Sequence, residues 1–117
     1  MCIRDRKRVN RTIVNSIDYM KKNLDSQLDL NSLVTYTNMS KYHYIRTFKK
    51  EIGITPIQFY NELKLKSARK LLMETSLNIN EISCRLGYST PFYFSECFKK
   101  YYGFSPSEYR MRLEKEY

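Results

Sequence analysis

The chain writes one phrase twice. SKYHYIRTFKKEIGITPIQFY, from Ser40 to Tyr60, returns fifty residues later as TPFYFSECFKKYYGFSPSEYR, from Thr90 to Arg110. Phe48-Lys49-Lys50 aligns with Phe98-Lys99-Lys100, Gly53 with Gly103, Pro56 with Pro106, and Tyr60 with Tyr109 to within one place. A repeat that carries its own glycine and proline requires each copy to fold as the same local unit. Each copy reads as a short helix, a tight turn, a second helix, a glycine and a capped helix, with ten residues from Leu30 to Ser40 and eleven from Ile79 to Thr90. That is the helix-turn-helix pattern. A helical array needs roughly three repeats to bury its faces. Two copies therefore favour a pair of helix-turn-helix units.

Helix starts are marked by chemistry. All three prolines follow a hydroxyl residue: Thr55-Pro56, Thr90-Pro91 and Ser105-Pro106. Proline suits the first helical position, and the preceding hydroxyl caps the helix. Gln58 and Glu108 complete capping boxes, Asn78 with Glu81 makes a related start, and Asp29 and Ser40 are further caps.

Apolar spacing supplies seven helical periods and no strand alternation. Val9, Ile13, Ile17 and Met20 form a stripe ending near Asn23. Leu30, Leu33 and Val34 mark a second helix, and Tyr44, Thr47 and Phe48 the inner face of a third. Leu65, Ala68, Leu71 and Leu72 mark a long fourth, from about Pro56 to Glu74. Ile79, Ile82 and Leu86 mark a fifth, stopped by Gly87. Phe94, Cys97 and Phe98 face inward on a sixth, and a seventh starts at Pro106 with Tyr109 and Leu113. The expected fold is all-α. Residues 7–54 form a first helix-turn-helix subdomain, 55–75 a linker helix, and 76–117 a second subdomain. MCIRDR at the start resembles a translated sequencing-adapter scar, so residues 1–6 are expected to be a non-native start with the gene cut upstream.

Charge narrows the partner. The net charge is +9, from 21 basic and 12 acidic residues, which favours a polyanion over a merely soluble surface. Removing the start, with Arg4, Asp5 and Arg6, leaves +8. The three cysteines, Cys2, Cys84 and Cys97, are odd in number and lack metal-ligand spacing. Cys84 and Cys97 read as small packing residues in a reducing cytoplasm. No apolar run reaches the ~18 residues of a membrane span.

At Ile79 to Arg110, INEISCRLGYSTPFYFSECFKKYYGFSPSEYR, the chain resembles the DNA-binding domain of the AraC/XylS transcription regulators. KLKSARKLL resembles that family's linker helix, and the resemblance extends over about residues 9–113. It implies two helix-turn-helix subdomains and double-stranded DNA as partner. It leans to an activator, with RNA polymerase as a second partner and an effector or receiver domain upstream.

The surfaces that would touch DNA follow from helical phase. With Tyr44 and Phe48 inward, Lys41, Tyr42, Ile45, Arg46 and Lys49 share the opposite face. Arg46 is suited to guanine O6 and N7, worth ~1–3 kcal/mol against the wrong base, and Ile45 to a thymine methyl. The family's base contacts match Tyr42, Ile45 and Arg46. On the second helix Pro91, Phe92, Ser95, Glu96 and Lys99 face outward. Glu96 stands where the family often has Arg. It either accepts from cytosine N4 or, the favoured reading, weakens this half by repelling phosphates. His43, the single histidine, is read as a phosphate, capping or surface group. Lys64, Lys66, Arg69 and Lys70 read as linker charge or a solvated face, with Lys64 replacing an Arg usual in the family. The linker spans ~28 Å at 1.5 Å per residue, against ~34 Å between successive major grooves on one face. A two-turn site on the order of 20 base pairs is expected.

Other functions fit less well. An enzyme needs a nucleophile–base pair or a metal cluster, and no cofactor motif is present. RNA binding would want a stacking sheet. A helical protein-interaction module using Tyr42, Ile45 and Phe92 is the alternative. Steep weakening by salt separates DNA binding from it.

Overall fold

The computed structural model describes residues 10–26, 28–35 and 37–116. These form seven helices: α1 (Arg11–Lys22), α2 (Leu30–Thr35), α3 (Lys41–Ile52), α4 (Pro56–Glu74), α5 (Ile79–Arg85), α6 (Pro91–Tyr102) and α7 (Pro106–Glu116). No strand occurs among the described residues. Val9, Cys2 and the expected 1–6 segment lie outside them.

The capping chemistry is in place. Gln58 N–H donates to Thr55 Oγ1 at 3.2 Å while Thr55 N–H donates to Gln58 Oε1 at 3.0 Å. Asn78 and Glu81 exchange the same pair at 2.8 Å each, and Ser105 and Glu108 at 2.9 and 3.2 Å. Asp29 accepts from Ser32 N–H at 2.9 Å. The amide of Ser105 holds the Glu108 carboxyl below its ordinary range. That contribution is present above the ordinary carboxylate pKa and is lost as pH falls through the lowered one.

The chain forms two compact units. Of the described residues, one unit takes those up to Asn23 and those within 28–61; the other takes 24–26 and 62–116. The division falls inside α4, so the linker helix belongs partly to each. In the first unit α3 packs on α1 and α2, burying Ile13, Met20, Leu33, Tyr44 and Phe48. In the second, α6 packs on α5 and α7 around Leu65, Ala68, Leu72, Ile82, Leu86, Phe94 and Phe98.

The repeat governs packing as well as sequence. Phe48 meets Phe59 edge-on at 5.6 Å, and Phe98 meets Tyr109 at 5.7 Å. The structural counterpart of Tyr109 is therefore Phe59, and that of Tyr60 is Arg110. These last two do parallel work. Tyr60 Oη donates to the Asn23 carbonyl at the end of α1. Arg110 donates to the carbonyls of Leu72 in the last turn of α4 and of Thr75 and Leu77 just beyond it. Each satisfies carbonyls that a helix end leaves without a partner.

Cys84 is a correction. It is exposed, and Ser83 takes the buried position beside it. Two or three apolar residues on a seven-residue helix fix its phase poorly. Cys97 is half-buried.

One buried polar pair distinguishes the units. Ile13, Ser16 and Met20 on α1 match Leu65, Ala68 and Leu72 on α4 in spacing, and Tyr44 matches Phe94. Tyr44 Oη donates to Ser16 Oγ at 2.9 Å, and Ser16 Oγ donates to the Ile13 carbonyl at 2.8 Å. Burial pushes the Tyr44 phenol above its ordinary pKa. Ser16→Ala strands that hydroxyl and is expected to cost about 1–3 kcal/mol. Ser16→Ala with Tyr44→Phe recreates the Ala–Phe pair of the second unit and is expected to recover most of the loss. A double-mutant cycle by denaturant unfolding checks this; simple additivity would contradict it.

Candidate nucleic-acid interface

The two outward faces begin from two matched helix starts. Ser40 Oγ accepts from His43 N–H at 3.2 Å, and Thr90 Oγ1 accepts from Tyr93 N–H at 3.0 Å. Both helices end on a left-handed glycine, Gly53 at φ 105° and Gly103 at φ 90°. Their amides donate to Lys49 and Lys99 carbonyls at 2.8 and 2.7 Å.

Between these caps the burial pattern is the same, residue for residue, over 41–50 and 91–100. The fourth and eighth positions, Tyr44 and Phe48 or Phe94 and Phe98, are inside. Lys41, Tyr42, Arg46 and Lys49 are exposed on α3, and Pro91, Phe92, Glu96 and Lys99 on α6, while Ile45 and Ser95 are half-buried at the same place on each. All ten sequence-predicted residues thus fall on the outer faces of their helices.

The aromatic members carry the most information. Tyr42 is 84% exposed and Phe92 70%, both at the second position of a capped helix. Holding a phenyl ring in water forgoes about 1.5–3 kcal/mol of burial. Tyr42, Ile45, Arg46, Lys49 and Lys50 line a shallow hollow on the first face. Its apolar floor and cationic rim suit a thymine methyl between phosphates.

The two faces differ in electrostatics. The first carries Lys41, Arg46, Lys49 and Lys50 with no carboxylate on 41–50, whereas the second carries Lys99 and Lys100 against Glu96. Lys50 and Tyr93 were missed by phase alone, since they flank the predicted stripe. Tyr93 is half exposed and packs against Tyr88 at 6.1 Å. His43 is exposed, and its backbone amide rather than its ring enters the cap.

Lys64 is the main correction. It is only 5% exposed, with Nζ 5.1 Å from the centre of the Tyr88 ring. Burial pushes its ammonium below the ordinary lysine value, and Asp25 partly offsets this. It belongs to neither a solvated face nor a DNA contact. Lys66, Arg69 and Lys70 are exposed, and Arg69 Nε donates to Tyr109 Oη at 2.8 Å.

No helix among the described residues is long and apolar enough to cross a membrane. None of their His, Cys, Asp and Glu side chains gather as three or more around a possible metal position.

Comparison with known proteins places this geometry. A protein-family model described as a helix-turn-helix domain matches residues 33–112. The MmsAB operon regulatory protein of Pseudomonas aeruginosa is 37% identical over 95 residues, 81% of this chain and 31% of that protein. The lactose operon transcription activator of Staphylococcus xylosus is 31% identical over 102 residues, 87% of this chain and 37% of that protein. The chain thus spans about a third of the length of these curated relatives. The solved C-terminal domain of AraT, a response regulator from Geobacillus stearothermophilus, superposes with a TM-score of 0.85 at 35% identity, covering 90% of this chain and 88% of that one. With two capped helix-turn-helix units, matched outer faces and these relatives, the chain belongs to the AraC/XylS family of transcription regulators.

Proposed function

We propose that this chain is the sequence-specific, double-stranded-DNA-binding module of a transcription regulator in the cytoplasm, reading DNA with α3 and α6. The observation that carries this is the identical burial pattern of the two helices, each presenting an exposed aromatic at its second position, among cations on α3 and ahead of Lys99 and Lys100 on α6. Lys41, Tyr42, Ile45, Arg46 and Lys49 read one major groove; Pro91, Phe92, Ser95, Glu96 and Lys99 meet the next. The length of α4, 19 residues or ~28 Å at the helical rise, supports halves about one turn apart.

An activating role is supported by the name of the lactose operon transcription activator, and RNA polymerase as the second partner is part of the same proposal. The matched module leaves most of each relative's length for other tasks. A signal-receiving domain upstream of this module is part of the same proposal.

Salt dependence is the direct test. Binding of a labelled duplex should weaken linearly in log–log form as salt rises, with a slope reflecting several released counterions. A flat dependence would favour a protein partner for Tyr42, Ile45 and Phe92. Glu96→Arg is expected to raise general duplex affinity several-fold and steepen the slope by about one unit. Fluorescence anisotropy across a salt series checks this. A fall in affinity would instead mean that Glu96 accepts from a base.

A further inference from the structure

Among the described residues, Lys64 is the sole buried charged side chain. Taking an ammonium out of water is costly, and a methionine would fill the same space more cheaply. What the charge touches suggests why a lysine stands there. Its Nζ faces the Tyr88 ring, and Tyr88 sits in the turn of the second helix-turn-helix. The amide of Tyr88 donates to the Ser83 carbonyl at 3.0 Å. Its ring packs on Phe94 at 5.0 Å and Tyr93 at 6.1 Å. Both lie in the first turns of α6, directly after Phe92. Gly87, just before Tyr88, lies so close to Asp25 that the backbone of residues 25–26 rests on this turn.

We propose that Lys64 is a positioning residue for DNA reading: its charge fixes the Tyr88 ring, and that ring sets the first turn of α6, where Phe92 and Ser95 meet the groove. A cation over an aromatic face is directional in a way that an apolar contact is not. Binding geometry is held best when the side chains behind it are locked. The inference rests on the DNA-binding reading above.

The test compares Lys64→Met, which keeps the stem and removes the charge, with Lys64→Arg, which keeps a cation. Amide NMR shifts of Tyr93 and Phe94 are measured in the free protein, with thermal unfolding as control. Affinity is measured for a selected duplex and for versions scrambled in one half only. Lys64→Met should unfold cooperatively, move the Tyr88, Tyr93 and Phe94 amides, and leave the Tyr44 and Phe48 amides in place. It should lose about fivefold in affinity on any duplex whose α6 half is intact. On a duplex already scrambled in that half it should lose nothing. Lys64→Arg should restore most of the affinity. Unmoved amides in a folded protein, or an equal loss on both kinds of duplex, would overturn the proposal. Should Lys64→Met fail to fold, Tyr88→Leu replaces it, with the same half-restricted loss expected and a uniform loss overturning the idea. If the parent protein binds no duplex, the DNA-binding reading fails, while the amide shifts still decide whether Lys64 positions α6.

Discussion

Gly87→Ala is expected to destabilise the second unit by at least about 3 kcal/mol. Two costs add. Gly87 has φ +76°, a left-handed conformation that side chains disfavour. A methyl there would also lie 2.6 Å from the Asp25 carbonyl oxygen and 3.0 Å from the Ser26 amide nitrogen, both backbone atoms. Neither can swing aside as a side-chain tip would. The controls are built into the repeat. Gly53 and Gly103 also have positive φ, but a methyl on either meets nothing within 4 Å. Gly53→Ala and Gly103→Ala should therefore show the conformational cost alone, about 1–2 kcal/mol. Denaturant unfolding of the three variants separates the terms. If Gly87→Ala proves no worse than Gly53→Ala, residues 25–26 do not rest on the second turn as described.

Arg46→Ala is expected to weaken binding to a selected site by roughly five- to 150-fold, corresponding to ~1–3 kcal/mol for a lost bidentate base contact. Arg46 is exposed on the basic face of α3, beside the hollow it shares with Tyr42 and Ile45. The variant should also lose preference at one base position and keep it elsewhere. Arg46→Lys separates charge from geometry. It retains the cation but not the planar fork, so it should recover nonspecific affinity more than base preference. Affinities over a duplex series with every single-base change check this. A uniform loss at all positions would make Arg46 a phosphate contact instead.

What the sequence disclosed divides along a physical line. Caps are local: Thr55 with Gln58, Asn78 with Glu81 and Ser105 with Glu108 each need only a three-residue spacing, and all three boxes form. The outward faces of α3 and α6 were equally legible. The period that buries Tyr44, Phe48, Phe94 and Phe98 leaves the remaining positions outside, whatever they later touch. Roles set by a distant segment were not legible. Nothing near Lys64 announces a tyrosine 24 positions away, and nothing near Arg110 announces the carbonyls around the end of α4. Residue type groups Lys64 with the linker charges, although its spacing to Ala68 and Leu72 places it on the buried stripe of α4. The one-place tolerance in aligning Tyr60 with Tyr109 is needed, because the fifty-residue offset pairs Tyr109 with Phe59. Ring packing on Phe48 and Phe98, rather than residue type, decides equivalence, and it pairs Phe59 with Tyr109.

On the proposed function, the difference between the outer faces of α3 and α6 carries a consequence for the DNA site. The first combines four cations with exposed Tyr42, while the second sets Glu96 against two lysines. Their halves need not share a sequence, and the first should contribute more of the affinity. The most direct measurement is selection of this protein's preferred sites from a random duplex pool, followed by sequencing. A motif with two unlike halves about one helical turn apart, on the order of 20 base pairs overall, is the predicted result. A pool retained without enrichment at either half, or no salt-sensitive retention at all, would contradict reading by α3 and α6.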